Sequence, residues 1–213
     1  MESQVRGGTR WKRFAVVMVP SVAATAAIGV ALAQGALAAS FSVSGQEFKV
    51  RADKLVGQGF TQYGSLDTGK GLDGKDAAHP VAVSAFETAS ITNMCQSVVT
   101  PVPFLNKEIT LKLTAGNKGK DVEASKLYID VANLDADQAV FDNMDIGVAA
   151  GSAKGPKPKA DEKTSPFGFA QQADTATLTG VRQTAWATTA GTFTLSNLHM
   201  GLEWGSGAGH ECY

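Results

Sequence analysis

The sequence predicts an all-β fold, in which a coiled sheet with bulged strands forms a sandwich or jelly-roll-like structure behind one N-terminal hydrophobic helix. Three observations predict it. From Ser40 onward, apolar residues recur with period two. Thr, Val, Ser and Gly are abundant, and helix-favouring windows rich in Leu, Glu and Lys are missing. The phase of the alternation also changes repeatedly, which indicates bent strands. A β-solenoid is the alternative architecture.

The first element, residues 1–39, has the composition of a targeting or membrane segment. Residues 14–39 contain no ionisable side chain, and as a helix they would extend roughly 39 Å, enough to span a hydrocarbon core of about 30 Å. The basic residues before them stay in the cytoplasm, which places the rest of the chain outside. The segment is either a signal peptide, with a small-x-small site at Ala36-Leu37-Ala38, or a retained transmembrane anchor. The basic residues are Arg6, Arg10, Lys12 and Arg13.

Residues 40–213 are predicted to form one exported β domain. Its clearest feature is a predicted hairpin, in which residues 109–115 return through 122–131 after a turn at 116–119. Residues 64–80 are rich in Gly, Asp and Lys, and residues 151–166 have almost nothing to bury, so both are predicted to be mobile loops. Further strands are predicted at 41–52, 139–148, 176–186 and 192–204.

A short motif, apolar-x-(Asn or Gly)-apolar, recurs where the alternation changes phase. Asn and Gly tolerate the left-handed backbone that a bulge or a corner in a strand requires. The motif is typical of a sheet built by repetition, with an exposed apolar groove; a small sandwich that uses Asn at its bulges is the alternative interpretation. The irregular spacing of the copies counts against a solenoid of fixed period. The predicted bulge residues are Asn93, Asn133, Asn143, Gly180 and Asn197.

Cys95 and Cys212 are the only two cysteines of the 213 residues. An even count in an exported chain favours pairing, so we predict a disulfide between them. In the chain-entropy model, a bond that closes so long a loop stabilises the fold by at most about 4 to 5 kcal/mol.

Charge and motifs exclude several classes of function. The 19 basic and 20 acidic residues include four and one, respectively, in the first 39 residues, which leaves the domain a net charge of about −4. This balance argues against nucleic acid as a partner. The chain has three histidines, no Cys-x-x-Cys pair and no G-x-S-x-G elbow. We therefore predict no catalytic residue, no cofactor and no metal ligand.

Three sequence segments, together with the leader, carry a resemblance to a known family. They are FKVRADKL at Phe48–Leu55, ITNMCQSV around Cys95, and the C-terminal GHECY. Over essentially the whole chain, the sequence resembles an actinobacterial family of uncharacterised exported proteins. Some members of that family carry an automatic cholesterol esterase label. The resemblance implies an envelope location and leaves the activity open.

Two functional hypotheses follow. The first is a non-enzymatic protein of the cell envelope or the extracellular space, which binds a lipid, another apolar ligand or a membrane-protein partner along its sheet. Residues 14–39 would hold it in the membrane if they are not cleaved, with the N-terminus in the cytoplasm. The alternative is a lipid or sterol ester hydrolase with an unconventional site around Ser206 and His210, in a glycine-rich stretch near the second cysteine.

Overall fold

The computed structural model describes residues 43–213. The predicted N-terminal helix, with its choice between signal peptide and membrane anchor, lies outside the described residues. Within residues 43–213, no helix has the length and apolar character needed to cross a membrane. The described chain consists almost entirely of strands, so the all-β prediction is confirmed.

Ten strands and one short 3-10 turn make up the described chain, and all named strand pairs are antiparallel. The ten strands belong to one sheet, which differs from the stacked coils of a β-solenoid, the alternative architecture. The strands are β1 (Phe48–Lys70), β2 (Asp76–Thr92), β3 (Met94–Val102), β4 (Lys107–Ala115), β5 (Val122–Asp135), β6 (Gln138–Asp142), β7 (Asp145–Ala149), β8 (Phe169–Thr189), β9 (Thr192–Thr194) and β10 (His199–Trp204), and the turn is Ala150–Ser152.

Four long strands close the sheet into a ring. β1 pairs with β2, β2 with β5, β5 with β8, and β8 again with β1. The last pairing runs from Phe48 opposite Ala185 to Tyr63 opposite Ala170. Because side chains alternate between the two faces of a strand, every second residue of the four strands points into one common interior.

At three places one strand ends and the next continues in the same direction along the same neighbouring strands; we call these places corners. β2 continues as β3 past Asn93, β4 continues as β5 past Gly116, and β9 continues as β10 past Asn197. The corners are hydrogen-bonded in a row: the Asn93 N–H donates to Gly116 O at 2.7 Å, and the Gly116 N–H donates to Ser196 O at 2.8 Å. These positive-φ corners therefore lie side by side on neighbouring strands.

The predicted hairpin between residues 109–115 and 122–131 is wrong. β4 pairs with β3 and β10, and β5 pairs with β2, β8 and β9, so the two strands lie end to end along their neighbours. The turn-like residues Gly116, Lys118 and Gly119 do have positive φ. They form a corner rather than a reversal, because Gly116 is hydrogen-bonded to the adjacent strands on both sides.

The predicted loop at 64–80 is also wrong. β1 extends to Lys70 and β2 begins at Asp76, so that only residues 71–75 lie outside the strands. Backbone pairing continues through these polar residues because the ladder bonds do not depend on the side chains. Residues 151–166 are irregular as predicted, but they do bury side chains: Ala153 is 2% exposed. This segment, called the cover segment below, lies across the outer face of the ring.

The two faces of the ring carry two apolar clusters. The larger lines the interior and includes Leu55, Phe60, Phe86, Leu127 and Val181. The smaller lies outside, under the cover segment, and consists of Tyr63, Val81, Val83, Ala150 and Ala170. Beyond the corners, β3, β4 and β10 form a flank whose edge strand β10 leaves Met200, Leu202 and Trp204 exposed.

Candidate functional site

Two adjoining chambers, each partly open to solvent, lie inside the ring, with volumes of about 290 and 280 Å³. Leu55, Ile129, Val181 and Gln183 line both, so the chambers meet at these four side chains. Ligand cavities in proteins commonly measure about 300 to 1,000 Å³, and the two chambers together fall in that range. The interior is therefore large enough for a small elongated molecule.

The first chamber lies toward the corners. Its walls come from the inward positions of β1, β2, β3, β5 and β8, and Phe193 of β9 stands at its edge with 37% of its surface exposed. The lining residues are Phe48, Val50, Ala52, Leu55, Ile91, Met94, Gln96, Leu127, Ile129, Val181, Gln183, Thr188, Ala190 and Phe193.

The second chamber lies toward β6. Leu134 and Ala139 stand at its edge, since Leu134 is 36% exposed and Ala139 is also solvent-exposed. Phe60, Phe86 and Phe141 form an aromatic wall, with ring centroids of Phe60 at 5.4 Å from Phe86 and 5.1 Å from Phe141. The lining residues are Leu55, Phe60, Gln62, Ser84, Phe86, Ile129, Leu134, Ala136, Ala139, Phe141, Leu178, Val181 and Gln183.

Polar groups in the cavity are few, and all of them are uncharged. Gln62 donates a hydrogen bond to the Ser84 hydroxyl at 2.9 Å and accepts one from Gln171. Gln183 is 6% exposed and lies between the chambers, where no hydrogen bond joins its side chain to another residue of 43–213. Among residues 43–213, no Asp, Glu, Lys, Arg or His lines either chamber. The cavity is thus apolar with a few neutral hydrogen-bonding groups.

The outer face under the cover segment has the opposite character. The Tyr63 hydroxyl donates to Glu162 at 2.6 Å, and the Lys159 ammonium lies 4.3 Å from the centre of the Tyr128 ring. Burial raises the pKa of Glu162, and burial together with the hydrogen bond to Glu162 raises the pKa of Tyr63. These contacts fix the cover segment to the sheet.

Two further carboxylates lie on this outer face. Burial, and to a lesser degree the nearby charge of Asp67, raises the pKa of Asp130 to about 7. Burial also raises the pKa of Asp67, whose Oδ2 has no hydrogen-bond partner within the described chain. His79 stacks on Trp186 beside them, with ring centroids 3.5 Å apart. Among residues 43–213, no three His, Cys, Asp or Glu side chains are placed to hold a metal ion.

Four of the five predicted bulge residues have left-handed backbone. Asn93, Asn143, Asn197 and Gly180 have positive φ. Asn133 is not among the positive-φ residues; it lies at a register shift between β5 and β8 instead.

Opposite three of these residues, the neighbouring strand carries an Ala-Asp pair. The sequence analysis missed this regularity. The Asn93 amide donates to Asp53 at 2.7 Å, and the Asn143 amide donates to Asp174 at 2.8 Å. At Gly180 there is no side chain, and a Cβ there would meet the Asp137 carboxylate at 2.1 Å. The pairs are Ala52-Asp53, Ala136-Asp137 and Ala173-Asp174. These residues define the shape of the ring rather than a reactive centre.

The predicted disulfide between Cys95 and Cys212 is present. It holds the C-terminal tail against the outer face of the flank, where the Cys212 N–H also donates to the Ser97 hydroxyl at 3.1 Å. The Ser206 hydroxyl donates to Glu108, whereas His210 Nδ1 lies 3.1 Å from Glu203 Oε2. These two contacts engage Ser206 and His210 with different carboxylates.

The sequence analysis did not find the polar residues of the cavity. A signal for one of them exists, since Gln183 falls on the inward parity of β8 between Val181 and Ala185. Once it is known which face of the strand points inward, a polar residue at an otherwise apolar inward position indicates a polar group inside the protein.

Comparison with known proteins gives one finding. Residues 44–213 match a family of unknown function, DUF6230. No curated protein and no solved structure matches the chain.

Proposed function

The chain belongs to the family of unknown function DUF6230, and we propose that it is a non-enzymatic protein of the cell envelope that binds a lipid or another apolar ligand inside its strand ring. The observation that carries this proposal is the pair of adjoining apolar chambers. Soluble domains normally fill their interiors to the density of organic crystals, and large voids within a domain are rare. A lined cavity of this size is typical of a small-molecule site.

The location rests on the sequence and on the disulfide. A basic flank followed by an uncharged hydrophobic segment is typical of export, and a disulfide persists in oxidising compartments. The predicted membrane-protein partner remains a prediction, for which the exposed apolar side chains of β10 offer a contact surface. The alternative hydrolase at Ser206 and His210 also remains a prediction.

Filling one chamber tests the ligand site. Ala139 lines the second chamber and lies on the edge strand β6, where a larger side chain can be accommodated without displacing the core. Ala139→Trp should weaken binding of N-phenyl-1-naphthylamine, an uncharged apolar dye, by about tenfold or more, because the indole occupies the space the dye needs. The measurement is a fluorescence titration of the purified full chain.

Val140→Trp is the matched control, because neighbouring residues on a strand point to opposite faces and Val140 is 44% exposed. We expect dye affinity of this variant within about twofold of the wild type. Absence of saturable dye binding by the wild type, or equal affinity of the two tryptophan variants, would remove the proposed site.

A further inference from the structure

We propose that the ligand of the ring interior is an uncharged amphiphile: an apolar chain with one neutral hydrogen-bonding group, such as a hydroxyl or an ester or amide carbonyl, that binds the side-chain amide of Gln183. This inference rests on the proposed function and narrows it to a class of ligand. It follows from two independent features of the cavity, the chemistry of its walls and the position of one buried amide.

The first feature is the absence of charge from both linings. In the described part of the chain, every residue that lines the chambers is apolar or neutral. An ionised carboxylate, phosphate or ammonium group taken into such a space would lose its hydration and gain no counter-charge, which is strongly unfavourable. A charged headgroup must therefore stay at the solvent-exposed edge, and the polar group of a ligand that reaches Gln183 must be neutral.

The second feature is the amide of Gln183. Only 6% of the residue is exposed, and it lines both chambers where they meet. Within residues 43–213 it makes no side-chain hydrogen bond. The unpaired polar atoms of residues 43–213 that are closed off from solvent do not include its amide, so the amide faces the open space of the chambers. Polar groups inside native proteins are almost always paired, and we therefore expect the partner of this amide to come from the contents of that space.

The other polar residues of the lining are less suited to this role. Gln62 and Ser84 are hydrogen-bonded to each other, and Gln62 is further occupied by Gln171. Gln96 and Thr188 are only half-buried and line the first chamber alone. Gln183 remains as the polar group at the centre of the cavity.

The chemistry of a carboxamide defines what it can hold. It has an N–H donor and a carbonyl acceptor, so it pairs with a hydroxyl, which does both, or with a carbonyl oxygen, which accepts. With Leu55, Ile129 and Val181 around it, the rest of the ligand meets only apolar surface. The site would thus distinguish a neutral polar group along a chain from a plain hydrocarbon and from an ion.

A series of ligands with equal chain length tests the inference on the wild-type full chain. The probes are decane, 1-decanol and decanoate at pH 8, each measured by its displacement of bound N-phenyl-1-naphthylamine. We expect 1-decanol to displace the dye at a concentration at least about tenfold lower than decanoate, because the ionised carboxylate finds no partner in the cavity. This arm needs no variant.

Gln183→Leu tests the amide itself, with Gln138→Leu on the exposed face of β6 as the matched control. The ratio of the decane to the 1-decanol midpoint should fall by about three- to tenfold in Gln183→Leu and stay unchanged in Gln138→Leu, the size expected for one hydrogen bond. Thermal melting of both variants checks that they fold.

The outcomes separate the inference from the function it rests on. Tighter binding of decanoate than of 1-decanol, or an unchanged midpoint ratio in a folded Gln183→Leu, would overturn the inference while the cavity stays a ligand site. Failure of the dye to bind the wild type at all would overturn the proposed function and the inference together.

Discussion

The inner and outer faces of the ring are made by the same strands and differ in nearly every physical property. On β5, Leu127 and Ile129 point into the cavity, whereas Tyr128 and Asp130 point outward toward the cover segment. The inner face has no charged residue at the cavity, and the outer face collects Asp67, Asp130 and Glu162. Because alternation has period two, one strand provides both surfaces.

The two faces therefore differ in what can cover them. The inner face keeps space free and avoids charge, so an apolar molecule can enter without leaving an unpaired ion. The outer face is covered by the chain itself, which buries carboxylates and raises their pKa values. We therefore expect the inner face to be sensitive to side-chain volume and the outer face to be sensitive to pH.

The largest effect is expected from truncating the aromatic wall inside the ring. Phe86 is 3% exposed, and its ring lies on the backbone of Gly57, where a Cβ would come within 2.1 Å of it. Phe86→Ala should lower the free energy of unfolding by about 3 to 5 kcal/mol, measured by urea denaturation.

Phe167→Ala provides the comparison for this truncation, because Phe167 is 90% exposed on the cover side. It should change stability by less than about 0.5 kcal/mol. A loss of similar size in both variants would show that the volume-sensitive face is not confined to the interior.

An intermediate effect is expected from Asp130 on the outer face. Its pKa of about 7 in the fold lies above the ordinary value of 3.8, so the folded state binds the proton more tightly. The resulting stability is fully present below about pH 4 and is lost as the pH rises through 7. Because the carboxylate is partly solvated, we expect a loss of about 2 kcal/mol between pH 4 and pH 8.

Asp130→Asn should remove this contribution to the pH dependence, measured by urea denaturation at both pH values. Asp67 and Glu162 shift in the same direction, so a smaller decline with rising pH should persist. In Asp76→Asn, where the side chain is 90% exposed, the decline should equal that of the wild type. An unchanged decline in Asp130→Asn would mean that Asp130 is not the titrating group.

The smallest effect is expected from the hydrogen bond that fastens the cover segment. Tyr63→Phe removes the 2.6 Å contact with Glu162 and should destabilise the protein by about 1 kcal/mol in thermal or urea unfolding. Tyr128→Phe, which removes a longer contact with the Lys157 carbonyl at 3.3 Å, should cost less than about 0.5 kcal/mol. A larger loss of stability in Tyr128→Phe than in Tyr63→Phe would show that Tyr128 contributes more to holding the cover segment.

Much of the fold could be predicted from local pattern. Alternation predicted strands, the even cysteine count predicted the disulfide, and Asn at phase changes predicted left-handed corners such as Asn93. The strand and corner signals depend on residues close in sequence. The disulfide was predictable because two cysteines can pair in only one way. Local chemistry was sufficient for them.

The ring and its cavity could not be predicted from the sequence. Strand alternation does not say which strand is the neighbour, so the pairing of β1 with β8 left no trace in a single sequence. The turn-like residues 116–119 suggested a hairpin because a corner and a reversal both need Gly at positive φ. Without the closure, Gln183 was one polar residue in a strand, and its central position stayed hidden.

The closure of β1 on β8 also has a kinetic consequence. Phe48 must meet Ala185 and Tyr63 must meet Ala170, pairings between distant parts of the chain that build up a high contact order. Domains dominated by such pairings fold in milliseconds to seconds, far more slowly than helical bundles. The enclosed space comes into existence only when this seam forms, so the appearance of dye fluorescence during refolding would time that step directly.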